Sequence, residues 1–284
     1  MSIREYCLPV GWYPRNPDEI ARFLADFTPG SSHVAGSRAA IAPHAGWFYS
    51  GRIAARAASS LERDAETVIV MGGHLPGKSP ALFALEDGVH TPLGIMPIDT
   101  DLRDALMGKL AGTGDRYSDN TVEVLLPMVR FFFPDAALLW LRLPADDTSF
   151  EAGKTIAHTL ARMGRKAVVL ASTDLTHYGR NYGFSPHGSG PAALQWMSEV
   201  NDANFIRAVE SGDPAAVLDR AEQDRSSCSA GAVLGALGFA EAAGAGPARM
   251  LEYGTSADAA VREGEECPDS FVGYAAFTFG NSIG

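Results

Sequence analysis

Four side chains able to coordinate a metal or move a proton sit in short polar turns, each closing an apolar run. They are His44 in IAPHAGWFYSG, His74 in TVIVMGGHLPGKS, and Asp174 with His177 in STDLTHYG. A neutral imidazole ligates metal or accepts a proton near pH 7, and a carboxylate orients such a ring or binds substrate. Cys228, in DRSSCSAGAV, stands ahead of a small-residue helix. There the helix dipole favours the thiolate, which suits a nucleophile or a metal ligand. Two histidines and one anionic ligand leave open positions on a non-haem iron. The same donors with a water suit tetrahedral zinc. Each residue alone also has a plainer explanation, as a turn-capping histidine or a small buried cysteine. Convergence at equivalent places is what favours a site.

Two competing motifs are present only in part. Gly72–Ser79 satisfies the phosphate-loop pattern G-x-x-x-x-G-K-[ST] with Lys78 in the cationic position. That chemistry needs a helix after the loop, whose N-terminus faces the phosphates. Here Pro80 and the alternating ALFALEDGV follow, so the match is read as coincidental, with Gly72 and Gly73 turning the chain to present His74. A serine hydrolase would need a G-x-S-x-G elbow, of which Gly188–Gly190 is only a fragment. His33, His90, His158 and His187 lack the strand-end context, and Cys7 and Cys267 lack a helix start.

The elements that must position these residues can be read from periodicity. Arg38–Ala42, Thr67–Met71, Ala137–Leu143 and Ala167–Ala171 read as buried strands. Gly51–Leu61, Val122–Phe133 and Phe150–Met163 read as helices between them. Pro191–Glu210, Pro214–Asp224 and Cys228–Ala243 read as later helices, before strands at Arg249–Tyr253 and Phe271–Phe279. Alternating strands and helices of these lengths predict an α/β fold: a single domain over residues 1–284, with a mostly parallel central sheet flanked by helices on both faces. Strand C-termini in such a sheet share one edge, which brings the three turns together.

Composition removes several classes of function. The 284 residues carry 34 acidic and 23 basic side chains, a net charge of −11 with no basic stripe, which argues against nucleic acid. No run is long and apolar enough to span a membrane, and MSIREYCLPVGWYP has no signal-like apolar region. Three cysteines without paired spacing fit a reducing compartment. The expectation is a cytoplasmic protein acting on a small-molecule substrate, with neither membrane nor nucleic acid as partner.

Taken together, VGWYP (Val10–Pro14), APHAGWFYSG (Ala42–Gly51), GGH (Gly72–His74), HTPLGIMPID (His90–Asp99), VEVLLPMV (Val122–Val129), STDLTHYG (Ser172–Gly179), the Cys228 segment and FVGYAAFTF (Phe271–Phe279) resemble the Memo family, known in bacteria as AmmeMemoRadiSam system protein B. That family is similar in fold to the class III extradiol dioxygenases. The resemblance implies a metal site from His44, His74 and Cys228, with Asp174 and His177 beside it and Trp12 near the pocket. It further implies Fe(II) as the metal, with zinc or copper as alternatives, and His177 as general base in a dioxygenase-like oxidoreductase acting on a small aromatic or electron-rich substrate. A non-enzymatic metal- or peptide-binding protein and a zinc hydrolase are the other readings. The family name also implies association with a radical-SAM enzyme. The chain departs from the family pattern at Asp119-Asn120-Thr121, where Glu-His-Ser is usual, at Ser229 for glycine, and at Gly72-Gly73 for the common Pro-Asn.

Overall fold

The computed structural model describes residues 1–27, 37–262, 264 and 266–280; His33 lies outside the described residues. Among these the strands are β1 (Ile3–Arg4), β2 (Ala39–Ala42), β3 (Thr67–Leu75), β4 (Leu82–Phe83), β5 (Gly88–Thr91), β6 (Gly94–Pro97), β7 (Thr113–Gly114), β8 (Ala137–Pro144), β9 (Ala167–Ser172), β10 (His177–Tyr178), β11 (Ala248–Thr255) and β12 (Phe271–Phe279). β1, β5 and β6 make a small sheet. The others make one large sheet in the order β10-β12-β2-β9-β3-β8-β4-β7, with β11 also paired to β12.

The centre of the large sheet, β2-β9-β3-β8, is parallel throughout. Its flanks are not: β12 runs antiparallel to β2, β10 and β11, and β4 runs antiparallel to β8. The parallel character read from the sequence therefore belongs to the four central strands. The late strands β11 and β12 form an antiparallel pair, a connection that needs no crossover helix.

Period-two alternation divides the central strands between two cores. Ile41, Ile69, Met71, Leu139, Leu141 and Val169 join one core, with helices Thr148–Met163, Ala203–Ser211 and Ala230–Ala243. Ala40, Val68, Val70, Leu138, Trp140 and Leu170 join the other, with helices Pro17–Leu24, Trp47–Ser59 and Leu126–Phe132. Both faces are covered, which is why these strands read as continuous apolar runs. Each large aliphatic side chain buried this way contributes about 1.5–3 kcal/mol.

Helix Ala230–Ala243 is buried on nearly every side and packs against both β3 and helix Thr148–Met163. Its small residues permit that depth. A Cβ at Gly231 would collide with the Pro144 carbonyl at the end of β8. The start of the helix, and with it Cys228, is thus pressed against the strand ends.

Two helices differ from the periodicity reading. Val122–Phe133 is broken into Asn120–Glu123 and Leu126–Phe132, where Pro127 sits in the first turn of the second helix. Pro191–Glu210 contains a π-helical stretch at Met197–Asp202 between Pro191–Trp196 and Ala203–Ser211. That widened turn brings Asn201 and Asp202 onto Thr176, one residue before His177.

Among the described residues no helix is long and apolar enough to cross a membrane.

Candidate metal centre

The parallel strands deliver His44, His74 and Asp174 to one edge, and Cys228 reaches the same place from the start of its helix. The coordinating atoms of His44, His74 and Cys228 lie within 4.8 Å of one another. Cys228 Sγ is 3.2 Å from His44 Nε2. Ligands of one tetrahedral ion, each about 2.0–2.3 Å from it, stand roughly 3–4 Å apart, so the spacing suits a shared metal.

Hydrogen bonds fix the faces of both imidazoles. The Ser172 hydroxyl spends its single hydrogen on the Thr121 carbonyl, so its oxygen accepts from His44 Nδ1–H at 2.9 Å. His44 Nε2 is left facing Cys228. His74 Nδ1–H donates to Asp119 Oδ2 at 3.0 Å, leaving Nε2 for the cluster. A carboxylate behind a metal-facing histidine is the usual way to orient it and raise its basicity. Asp119 is anchored in turn by the buried Arg142 at 3.2 Å, and Arg142 donates to the Gly73 carbonyl at 3.0 Å.

The backbone at His74 is unusual. β3 runs on through both glycines to Leu75, and its register against β8 shifts between Gly72 and Leu75. The turn falls on His74 itself, at φ 56°. That left-handed conformation costs a non-glycine residue on the order of 1 kcal/mol, and such strain gathers at functional sites. Gly72 and Gly73 therefore do not turn the chain, as the sequence suggested; they permit close approach. A Cβ at Gly73 would lie 2.5 Å from Ser229 Cβ, and one at Gly72 would overlap Thr121. No helix follows Ser79: residues 80 and 81 lead straight into β4, and the Lys78 backbone N–H is taken by Asp146.

Electrostatics treats the three donors as a unit. Burial pushes the Cys228 thiol up, but His44 and His74 outweigh it and bring the thiol down to about 6. Burial pulls His74 down, yet the hydrogen bonds it donates to Asp119 and Cys228 carry it up to about 10. The two shifts run in opposite directions, toward a thiolate at Cys228 and an imidazolium at His74. For Asp119, burial is overridden by His74, Thr121 and Arg142, which hold its carboxyl well below the usual range.

Asp174 is buried, and burial raises its carboxyl despite the nearby His177. Its Oδ1 accepts from the His44 backbone N–H at 2.7 Å, and its carbonyl accepts from Cys228 N–H at 3.3 Å. It therefore ties two of the donor-bearing segments together. The His177 ring is set instead by the Leu175 carbonyl, which can only accept; Nδ1 carries the proton, and a neutral ring keeps a free lone pair on Nε2. His177, Asp174, His74, Asn120 and Trp12 all line a cavity of about 850 Å³. Trp12, His177 and Asp174 thus line one cavity, and His74 is the member of the His44–His74–Cys228 cluster that borders it.

His90 stacks on Tyr6 and meets Glu5, His158 is exposed on its helix, and His187 stacks on Trp196. Sequence reasoning missed the supporting residues Ser172, Arg142 and Asp202. One signal was available: Arg142 interrupts an otherwise apolar buried strand, and a buried guanidinium needs partners.

Asp202 is fully buried and holds Thr176 through its N–H and hydroxyl, while its other oxygen accepts from Tyr253 at 2.8 Å. Burial pushes this carboxyl up to about 7, the hydrogen bonds from Thr176 and Tyr253 opposing it. A carboxyl raised on folding binds its proton more tightly in the native state. Its contribution is greatest below about pH 4 and is lost as pH climbs to 7. The stability of the native protein relative to Asp202→Asn is expected to fall by up to about 4 kcal/mol between pH 4 and 7. Urea unfolding of both proteins across that range measures it; a constant difference would place the Asp202 pKa in the ordinary range.

Comparison with known proteins follows the same motifs. A family model described as Memo-like protein matches residues 4–278. A MEMO1 family protein of Methanosarcina barkeri is 29% identical over 287 residues, covering 96% of this chain and 98% of its own. One from Pyrococcus abyssi is 28% identical over 283 residues, covering 93% and 95%. One from Methanococcoides burtonii is 30% identical over 226 residues, covering 77% and 80%.

Proposed function

The chain belongs to the Memo-like family, and on that premise we propose that His44, His74 and Cys228 hold a non-haem Fe(II) in an oxidoreductase that acts on a small aromatic or other electron-rich substrate. The observation carrying this reading is the convergence of two imidazoles, each committed at Nδ1, with a thiol lowered to about 6, beside a cavity lined by His177. Bound iron would supply open coordination positions and pass electrons between substrate and O2. The chain supplies the rest. Asp119 and Ser172 hold the histidine rings, and Asp174 joins the segments that carry His44 and Cys228. Trp12 and Tyr182 provide aromatic walls for a planar substrate. His177, proton on Nδ1, accepts a hydrogen from a substrate hydroxyl at Nε2.

His177→Ala is expected to retain metal and lose at least about 100-fold in turnover, the usual contribution of a positioned general base. O2 consumption across a panel of phenols, with metal content measured on the same samples, tests this. Turnover unchanged in the variant would remove His177 from the role.

The thiolate favours a second reading. A soft sulfur donor also suits copper(I) or tetrahedral zinc, and O2 chemistry beside it exposes Cys228 to oxidation. On that reading the protein handles metal without turnover, and tight retention of copper or zinc with no O2 uptake on any phenol would support it. We further propose that it works in a reducing, cytoplasmic setting alongside a radical-SAM enzyme.

A further inference from the structure

Next to the His177 cavity lies a larger one of about 1170 Å³, in which the proposed chemistry has no part. Phe23, Trp47 and Ile53 wall it on one side and helix Ser256–Arg262 on another. The two cavities share Val10, Gly11, Phe48 and Tyr49. Three of these form an apolar ridge open to solvent, with Val10 88%, Phe48 55% and Tyr49 46% exposed. Exposed apolar groups gathered between two concavities mark a surface that a ligand covers.

The charges around the second cavity indicate what kind of ligand. Arg15 is committed to the Tyr13 hydroxyl and the Leu8 carbonyl, and it lies over the Tyr6 and Tyr13 rings. Glu252 pairs with Arg56, Asp258 accepts from Thr255, and Arg52 faces Asp26. The other two charged groups in the wall, Glu19 and Arg262, are of opposite sign. The wall thus calls for no net charge, and what it offers is aromatic and aliphatic surface.

Resting on the reading of the His177 cavity as the substrate site, we propose that the substrate is elongated and amphipathic: an electron-rich phenolic head beside His177, and an uncharged apolar tail laid across Val10 and Phe48 into the second cavity. The shared rim residues support this over a compact molecule. Either cavity alone would hold a drug-sized ligand, and a ligand confined to the first would leave the ridge bare.

The test uses 4-ethyl-, 4-butyl- and 4-hexylphenol as probes, titrated into the native protein by calorimetry under argon, with iron measured in each sample. Burying a methylene tightens binding about fourfold, so each two-carbon step should lower Kd about 15-fold. Phe48→Ala and Val261→Asp, both at exposed positions in the lining of the second cavity, should shrink that gain. Equal Kd values for the three phenols, or a chain-length gain untouched by both substitutions, would overturn the proposal. Failure of every phenol to bind would overturn it too. In that case stoichiometric iron would show that the metal reading stands and the substrate assignment, head and tail, fell, while absent iron would sink both.

Discussion

Between pH 6 and 9, metal affinity is expected to rise about tenfold per pH unit, roughly a thousandfold in all. The sign follows from the protons that must leave. With His74 raised to about 10 and Cys228 lowered to about 6, the metal-free site in this range holds a thiolate and an imidazolium. A metal must displace one proton, from His74 Nε2, so each unit of pH favours it tenfold. Below pH 6 the thiol is protonated as well, and the dependence should steepen toward a hundredfold per unit. Competition of Co(II) against a chelator of known affinity, followed through the thiolate-to-cobalt absorption, measures the slope. A flat profile would mean that His74 is not held as imidazolium, and that the Asp119–His74–Cys228 arrangement is misread.

Asp119→Ala is expected to weaken metal binding by 10- to 100-fold, the usual effect of removing a carboxylate behind a ligating histidine. The same substitution should cost stability by about 3 kcal/mol, because Arg142 remains buried with one carboxylate partner fewer. Arg142 still meets Asp115 at 3.4 Å and the Gly73 carbonyl, so the fold should survive. Asp119→Asn separates the two effects: an amide can still accept from His74 but carries no charge, so orientation is kept and basicity lost. Its affinity should fall between those of the native protein and Asp119→Ala. Native affinity in both variants would show that His74 needs no partner at Nδ1.

The departures from the family pattern gain meaning from this geometry. Asp119 supplies the carboxylate to His74. Asn120, in place of a histidine, lines the cavity and donates to the His44 carbonyl at 2.9 Å. Thr121 accepts from Gly73 N–H at 3.2 Å, and its own carbonyl takes the Ser172 hydrogen. All three residues brace the donor-bearing segments. Ser229, replacing glycine, packs on Gly73, so the two departures at Gly73 and Ser229 fit one another.

Much of this was legible in the chain because the signals were local. The four parallel strands are apolar runs, three of them ending in polar turns, and that pattern predicts both the α/β sheet and the edge where His44, His74 and Asp174 meet; Cys228 is grouped with them only through the family resemblance. The antiparallel flanks were not legible, since β11 and β12 carry no mark of the partner they choose. The supports were hidden for the same reason: Asp119 lies 45 residues from His74, and Asp202 lies 26 from Thr176. The glycines before His74 misled because glycine serves both for turning and for close approach, and only the neighbouring Ser229 and Thr121 distinguish the two.

Metal content after anaerobic purification, native protein beside His74→Ala, tests the central claim most directly. The account predicts near-stoichiometric metal in the native protein, iron foremost, and its loss in the variant while the fold is kept. A native protein that takes up no iron, zinc or copper when each is offered, or a variant that binds as well as the native chain, would contradict it.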